Sequence, residues 1–266
     1  MHNTGSLKSA EIKQIVLIGS GWKALSMIDV YNSITFTLWL CGCNLKCPFC
    51  HNWRIAENDP QLCSVLDIQL LLDELESSKP FIDYLHITGG EPLIQHSGLT
   101  FLLQITRDSM GIKTSLNTNL TLYKPLEKLI KNELVDHLAT DLKIPYNLLY
   151  GYREEIAERL WKLYNASLDL VTEYGIPLEL RIPIAKNIPF NTYKKYLEAI
   201  MTKLLKHPNF YIIVQPLLGL PITDPRDIEW CEKYCNPDTM YLEEIKELLK
   251  DMGAENVILR KTLSMG

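Results

Sequence analysis

Three cysteines with a distinctive spacing are the residues in this sequence best suited to chemistry. Cys43, Cys47 and Cys50 form a C-x3-C-x2-C pattern that follows an apolar run ending at Leu40. Three thiolates on one loop can bind three irons of a [4Fe–4S] cluster, which leaves the fourth iron without a protein ligand. Metal centres that keep an open position are usually catalytic, because a substrate or cofactor can bind there. The spacing therefore predicts a catalytic iron–sulfur centre.

A structural zinc site is the alternative interpretation of the same cysteines. Cys41 would supply the fourth thiolate, and closed four-thiolate zinc sites are common. However, Cys41 and Cys43 lie only two positions apart, whereas zinc ligands are normally paired with at least two residues between them. A zinc site would also leave unexplained the polar groups that end other predicted strands.

Two polar motifs end other predicted strands. Gly89-Gly90-Glu91-Pro92 directly follows an apolar segment. By itself it is commonly a tight turn, because glycine adopts positive φ and proline ends the strand. Asp141 and Lys143 end another strand, and strand alternation places both side chains on the same side. The alternative for this pair is an exposed salt bridge of little energetic value.

Short apolar segments alternate with amphipathic ones along the chain. The short segments resemble strands covered on both faces, and the longer ones carry apolar residues on one helical face. Six βα units in a row predict parallel strands with helical crossovers, and hence an α/β barrel, although a doubly wound sheet has the same periodicity. The predicted strands are 14–18, 34–40, 84–88, 113–117, 137–142, 178–184, 211–216 and 256–260, and the predicted helices are 64–78, 99–109, 122–132, 154–173, 192–206 and 240–252.

The motifs share one position relative to the predicted strands. The cysteine loop, the Gly-Gly-Glu motif, Asn117-Thr118-Asn119 and Asp141-Leu142-Lys143 each follow the carboxyl end of a successive strand. Active sites of α/β barrels are built at that end. The sequence therefore predicts one domain over residues 1–266, with a core of about 30–220 and a C-terminal extension over 221–266.

The cysteine motif, with Phe49 before its last cysteine, resembles that of the radical S-adenosylmethionine (SAM) superfamily. The stretch 21–52 is similar, more particularly, to glycyl-radical-enzyme activating proteins, and among them to the anaerobic ribonucleoside-triphosphate reductase activating group. The resemblance extends from about Gly21 to Gln215. It implies a partial (βα)6 TIM-like barrel and one [4Fe–4S] cluster bound by Cys43, Cys47 and Cys50. The open iron would chelate SAM, and reductive cleavage of SAM would give a 5′-deoxyadenosyl radical.

The resemblance also implies a set of SAM-binding residues. Asn117, Thr118 and Asn119 resemble the Thr-Asn-Gly motif of the family, although Leu120 replaces its glycine. Arg181 lies inside a predicted buried strand and needs a partner, either the SAM carboxylate, Glu91 or a plain salt bridge. His51 would line the SAM pocket without binding iron. The predicted cofactor-binding residues are Phe49, His51, Gly89, Gly90, Glu91, Asn117, Asn119, Asp141, Lys143 and Arg181, and no catalytic residue is predicted beyond the cofactor ligands.

Four further cysteines have no role in this scheme. Cys231 and Cys235 share one face of a predicted short helix, and with Cys41 or Cys63 they could bind a second cluster or form a disulfide. We expect buried free thiols, because cysteine is among the most buried residue types.

The implied substrate is a glycyl radical enzyme, with a reduced ferredoxin or flavodoxin-type protein as electron donor. The alternatives are a radical SAM enzyme that acts on a small molecule or a modified RNA base, and a non-catalytic zinc or Fe–S protein. The net charge of 27 − 32 = −5 gives no electrostatic basis for nucleic-acid binding. No apolar run approaches the roughly 20 residues that cross a bilayer, and no targeting segment is visible. We therefore expect a cytoplasmic protein without a membrane partner, whose thiols stay reduced.

Overall fold

The computed structural model describes residues 15–260, which form two compact units. The first unit comprises residues 15–44, 54–118 and 124–138, and the second comprises residues 45–53, 119–123 and 139–260. A single domain over 1–266 stays a prediction. Residue 14 of the predicted first strand lies outside the described residues.

The first unit contains a sheet of five strands. They are β1 (Ile18–Ser26), β2 (Thr35–Leu40), β3 (Ser64–Val65), β4 (Tyr84–Gly89) and β5 (Thr114–Asn117). Their order in the sheet is β3-β1-β2-β4-β5. Strands β2, β4 and β5 are parallel, whereas β1 is antiparallel to both β2 and β3.

Three helices lie between the strands of this part of the chain. They are α1 (Trp53–Ala56), α2 (Ile68–Ser78) and α3 (His96–Ile105), and a π-helical turn (Thr106–Met110) extends the last. Helix α2 begins after Asp67, whose carboxylate accepts a hydrogen bond from the Leu70 amide at 3.1 Å. Such an N-cap satisfies an amide that has no partner within the helix. Helix α4 (Tyr123–Lys131) follows β5.

Two sequence predictions in this unit are wrong at their boundaries. The helix predicted from residue 64 begins at Ile68, because Ser64 and Val65 pair with Gly19 and Ile18 as strand β3. Val65 is exposed, so it does not belong to the apolar helix face. The first strand was predicted over 14–18, yet β1 runs from Ile18 to Ser26. Its polar, glycine-containing sequence is held extended by pairing with β2.

The second unit contains the remaining strands. They are the end of β6 (His137–Asp141), β7 (Leu178–Ile184), β8 (Phe210–Pro216) and β9 (Val257–Leu259), and β6 begins with two residues of the first unit. Their order is β6-β7-β8-β9, and β7, β8 and β9 are parallel. In both units the parallel strands follow chain order without the reversal of a doubly wound sheet. The fold is mixed α/β with a parallel sheet, of the partial TIM-barrel type.

Five helices belong to the second unit. They are α5 (Tyr146–Leu149), α6 (Glu154–Glu173), α7 (Phe190–Leu204), α8 (Ile228–Tyr234) and α9 (Thr239–Asp251). The prediction of a helix over 154–173 is confirmed at both ends. Helix α9 ends near Gly253, which has φ +95°, as helix C-termini often do. Across residues 15–260 no helix is both long and apolar enough to cross a membrane.

In each unit some buried strand positions carry polar side chains. In the first unit Thr37 pairs with His86, and His86 with Ser115, so these polar side chains form one row. In the second unit Glu179 and Arg181 alternate with aliphatic residues of β7 that are fully buried. The strands are therefore buried as predicted, but some of their buried positions carry polar groups that can serve a functional site.

Candidate functional site

Part of the cysteine loop lies in the second unit and is fixed by residues that precede α6. The Lys46 amide donates a hydrogen bond to the Tyr150 carbonyl oxygen at 3.1 Å, and the Cys50 amide donates to that of Cys47 at 3.2 Å. A Cβ atom on Gly151 would lie 1.8 Å from the Lys46 carbonyl oxygen. Gly151 also has φ +73°. Only glycine therefore allows this approach of the two backbones.

A segment near the C-terminus holds the same loop. The Arg226 amide donates to the Cys50 carbonyl oxygen at 3.1 Å, and the Asp227 amide donates to that of Pro48 at 2.9 Å. The Arg226 guanidinium donates through Nη1 to the Cys47 carbonyl oxygen at 3.3 Å. Neither residue was predicted to contact the loop, because nothing local in the sequence links residue 226 to residue 47.

The three motif cysteines, Cys43, Cys47 and Cys50, lie outside the disulfides of the protein. Burial raises the pKa of the Cys50 thiol, although the positive charges of Arg226 and Lys143 lower it in part. Three cysteines at this spacing, none of them in a disulfide, match the donor set for three irons of a [4Fe–4S] cluster. Within residues 15–260 no group of three or more His, Cys, Asp and Glu side chains is arranged to hold a metal ion. The ligand role of the cysteines therefore stays a proposal based on their spacing.

The other four cysteines are paired, so the expectation of free thiols is wrong. Cys41 is bonded to Cys63, with Cα atoms 6.2 Å apart, and Cys231 is bonded to Cys235. The Cys41 amide donates to the Ile18 carbonyl oxygen, and β3, which directly follows Cys63, pairs with Ile18. This pairing brings the two segments together. The zinc alternative loses its fourth ligand, because Cys41 has no free thiolate.

The Gly-Gly-Glu motif lies at the end of β4 in the first unit. The Gly90 amide donates to the Leu40 carbonyl oxygen at 2.9 Å, and the Glu91 amide donates to that of Gly42 at 2.7 Å. A Cβ atom on Gly90 would lie 2.1 Å from the Gly42 carbonyl oxygen, and one on Gly89 would lie 2.3 Å from that of Leu40. Both glycines thus permit the end of β4 to contact the residues just before Cys43.

Glu91 and Asn117 are bonded within the first unit. The Glu91 side chain is fully buried, and its Oε1 accepts hydrogen bonds from the Leu93 amide at 3.1 Å and the Thr118 hydroxyl at 2.8 Å. Asn117 donates through Nδ2 to the Thr88 hydroxyl at 2.9 Å. These contacts tie the end of β5 to the end of β4. The two side chains therefore help to shape the end of the sheet.

The turn after β5 keeps its shape without the family's glycine. Asn119 accepts through Oδ1 from the amide and the hydroxyl of Thr121, at 3.0 and 2.6 Å. Leu120 has φ +59°, a left-handed conformation that glycine adopts more easily. Its side chain is fully buried, and this burial offsets the backbone strain.

Asp141 lies at the centre of a charged network in the second unit. Its carboxylate contacts Lys143 Nζ at 3.0 Å and Arg181 Nε at 3.1 Å. Arg181 also lies 3.7 Å from Oε1 of Glu179, whose Oε2 accepts from the Tyr211 hydroxyl at 2.6 Å. Glu179 is fully buried, and no sequence motif marks it as part of the site. Of the partners predicted for Arg181, the structure shows salt bridges within the protein.

This network sets the charge of the neighbouring groups. Burial alone would raise the pKa of Asp141, but Lys143 and Arg181 outweigh it and lower the pKa to about 2. The pKa of His51 is also lowered, first because surrounding protein displaces water and also because Arg181 is positive, while Asp141 opposes the shift. At neutral pH Asp141 is therefore ionised and His51 favours its neutral form.

The superfamily of the chain follows from its match to a family model. Residues 38–200, more than half of the chain, match the model of the radical SAM superfamily. The chain belongs to this superfamily. It is therefore a radical SAM enzyme, and the resemblance stated from the cysteine motif is confirmed. The family implies a [4Fe–4S] cluster and SAM as cofactors.

Individual relatives of this radical SAM chain have been named. It is 28% identical over 249 residues to a putative glycyl-radical enzyme activating enzyme of Methanocaldococcus jannaschii, covering 91% of this chain and 95% of that protein. It is 32% identical over 108 residues to the 7-carboxy-7-deazaguanine synthase of Hyperthermus butylicus, covering 36% and 43%. The structure of anSMEcpe with bound AdoMet and a peptide has a TM-score of 0.51 at 12% identity, covering 81% and 60%. The last comparison shows the fold alone.

Proposed function

We propose that this radical SAM enzyme installs a glycyl radical on a partner enzyme. The observation that carries the proposal is the match to a putative glycyl-radical enzyme activating enzyme, which includes nearly the whole of both chains. The partner we propose is an anaerobic ribonucleoside-triphosphate reductase, because the stretch 21–52 resembles the activating proteins of that enzyme.

Cys43, Cys47 and Cys50 would hold one [4Fe–4S] cluster. None of the three is in a disulfide, whereas the other four cysteines form two disulfides. When bound, the cluster supplies the electron for cleavage of SAM to methionine and a 5′-deoxyadenosyl radical. Residues 150–151 and 226–227 hold the loop that carries Cys47 and Cys50. A reduced ferredoxin or flavodoxin-type protein would deliver the electron, and we expect the reaction to take place in the cytoplasm.

Four of the predicted SAM-binding residues divide into two groups by their contacts. Asp141 and Lys143 are charged groups at the end of β6, able to bind the amino or carboxylate group of SAM. Glu91 and Asn117 bond to neighbouring protein groups, so they would act by fixing the end of the sheet. The remaining proposed residues are Phe49, His51, Gly89, Gly90, Asn119 and Arg181.

An anaerobic assay tests the function. The reconstituted protein would be mixed with SAM, dithionite and the glycyl radical enzyme encoded in the same genome. We expect release of 5′-deoxyadenosine and an electron paramagnetic resonance doublet from a glycyl radical on the partner. The matched control is a partner whose radical-bearing glycine is replaced by alanine. Release of 5′-deoxyadenosine without any radical on the partner would refute glycyl-radical activation but leave SAM cleavage intact.

A small-molecule substrate is the second candidate. Its support is the match to a 7-carboxy-7-deazaguanine synthase, which covers only 43% of that protein. If the chain acted in this way, the protein would accelerate formation of 7-carboxy-7-deazaguanine in an anaerobic extract, measured by mass spectrometry. Acceleration by the wild type but not by a Cys47→Ser variant would favour this candidate over radical installation.

A further inference from the structure

We propose that Arg226 is a positioning residue with two effects. It helps the cysteine loop to retain its cluster, and it raises the reduction potential of that cluster. The inference rests on the proposed function, because it requires a cluster bound through Cys47 and Cys50. It concerns the segment around residues 226–230, which lies outside the predicted barrel core and matches no motif.

The backbone of the segment fixes the loop at two points. Arg226 and Asp227 donate their amide hydrogens to the Cys50 and Pro48 carbonyl oxygens, at 3.1 and 2.9 Å. These bonds lie on either side of Phe49 and include one of the proposed iron ligands. They restrict the backbone torsions that orient the Cys50 side chain.

Helix α8 stabilises the conformation of this segment. The Asp227 carboxylate accepts from the Trp230 amide at 2.9 Å and thereby caps the helix. Trp230 in turn places its ring 6.0 Å from that of Phe49, between centroids, and 4.7 Å from that of Tyr234. The contact between Trp230 and Phe49 is a second, uncharged interaction that stabilises the loop.

The Arg226 side chain adds a charge at the same place. Its guanidinium donates to the Cys47 carbonyl oxygen at 3.3 Å, which places a positive charge beside the backbone of a proposed iron ligand. Reduction adds a negative charge to a cluster, so a nearby fixed cation favours the reduced form and raises the potential.

Substitutions at this position separate charge from shape. Arg226→Met and Arg226→Gln remove the cation, and Arg226→Lys keeps it. Lys203→Met is the matched control, because Lys203 is a partly buried cation of α7 that pairs with Asp169. Trp230→Ala removes the uncharged aromatic contact with Phe49. Iron content, release of iron to a chelator and the cluster midpoint potential would be measured anaerobically in the reconstituted full-length protein.

We expect the equilibrium constant for one-electron reduction to fall about tenfold in Arg226→Met and Arg226→Gln, which is a downward shift of ~59 mV. Arg226→Lys and Lys203→Met should keep the wild-type potential to within a third of that shift. Trp230→Ala should release iron several-fold faster at an unchanged potential. If a neutral variant loses its cluster while Arg226→Lys retains it, the positioning role is supported.

Two results would overturn the inference. One is a wild-type potential in both neutral variants with normal iron retention. The other is an equal shift in Arg226→Lys and Arg226→Gln, which would mean that charge is not the cause. Neither result touches the activity on a partner enzyme, since no substrate is present. A wild-type protein that binds no cluster would instead refute the proposed function.

Discussion

At the scale of single residues, the charges at the end of β6 are already neutralised within the protein. Asp141 is shared between Lys143 and Arg181, and Arg181 also faces Glu179. Two carboxylates and two cations in a mostly buried region balance each other, as buried charges must. A ligand such as SAM would therefore meet a preformed polar surface, with Asp141 ionised at neutral pH.

The first prediction concerns the Asp141→Asn variant. Because the wild-type pKa is about 2 against an ordinary 3.8, ionisation of Asp141 stabilises the native state by about 2 kcal/mol at pH 7. A lowered native pKa gives stability that is present above pH ~4 and is lost as the pH falls toward 2. We expect the variant to be less stable at pH 7, and the difference to shrink below pH 4.

Urea unfolding of both apoproteins between pH 7 and pH 3 measures this difference. Glu158→Gln is the control, because the Glu158–Lys162 pair is exposed on α6, and exposed pairs contribute little. A difference between Asp141→Asn and the wild type that stays constant over the whole pH range would contradict the assignment.

At the scale of elements, the end of β4 and the start of the cysteine loop are in close backbone contact. Gly90 and Glu91 donate amide hydrogens to the Leu40 and Gly42 carbonyl oxygens, and no room is left for a Cβ atom. The Gly-Gly-Glu motif therefore has a structural reason that is independent of any ligand. It fixes the residue that directly precedes Cys43.

The second prediction compares Gly90→Ala with Gly111→Ala. In the first variant the new methyl group would meet the Gly42 carbonyl oxygen at 2.1 Å, so backbone must move, at ~1–3 kcal/mol. In the second nothing lies within 4 Å, and only the φ of +64° costs about 1 kcal/mol. Thermal unfolding and iron content after reconstitution should show Gly90→Ala as the less stable variant and as the only one of the two that loses iron. Equal iron content in both variants would contradict this explanation.

At the scale of the whole molecule, four of the seven cysteines form two disulfides and the other three are in none. Each disulfide joins residues of one unit, Cys41 to Cys63 in the first and Cys231 to Cys235 in the second. This division leaves thiols for one cluster.

The third prediction is therefore a single cluster per chain. The anaerobically reconstituted protein should contain about four irons. A variant with Cys41, Cys63, Cys231 and Cys235 all changed to serine should contain the same amount, because none of them is a ligand. Cys47→Ser is the contrasting control and should lose most of its iron. About eight irons in the wild type, or loss of half the iron in the fourfold variant, would show a second cluster.

Local patterns in the sequence were enough to predict the superfamily and several helices and strands. The cysteine spacing indicated the superfamily, because ligand geometry requires residues at short fixed intervals. Apolar periodicity located the long helix α6 (Glu154–Glu173) at both ends and the strand β7 (Leu178–Ile184). Both signals depend on residues close together in the chain.

Only the tertiary structure decided the remaining features, because each depends on groups that are distant in sequence. Strand β1 is polar and becomes a strand through its pairing with β2. The Cys41–Cys63 bond follows from the packing of β3 beside β1. Arg226 contacts Cys47 across 179 residues of chain. The sequence by itself thus determined the chemistry that the loop can carry, and the packing of distant segments decided what holds that loop in place.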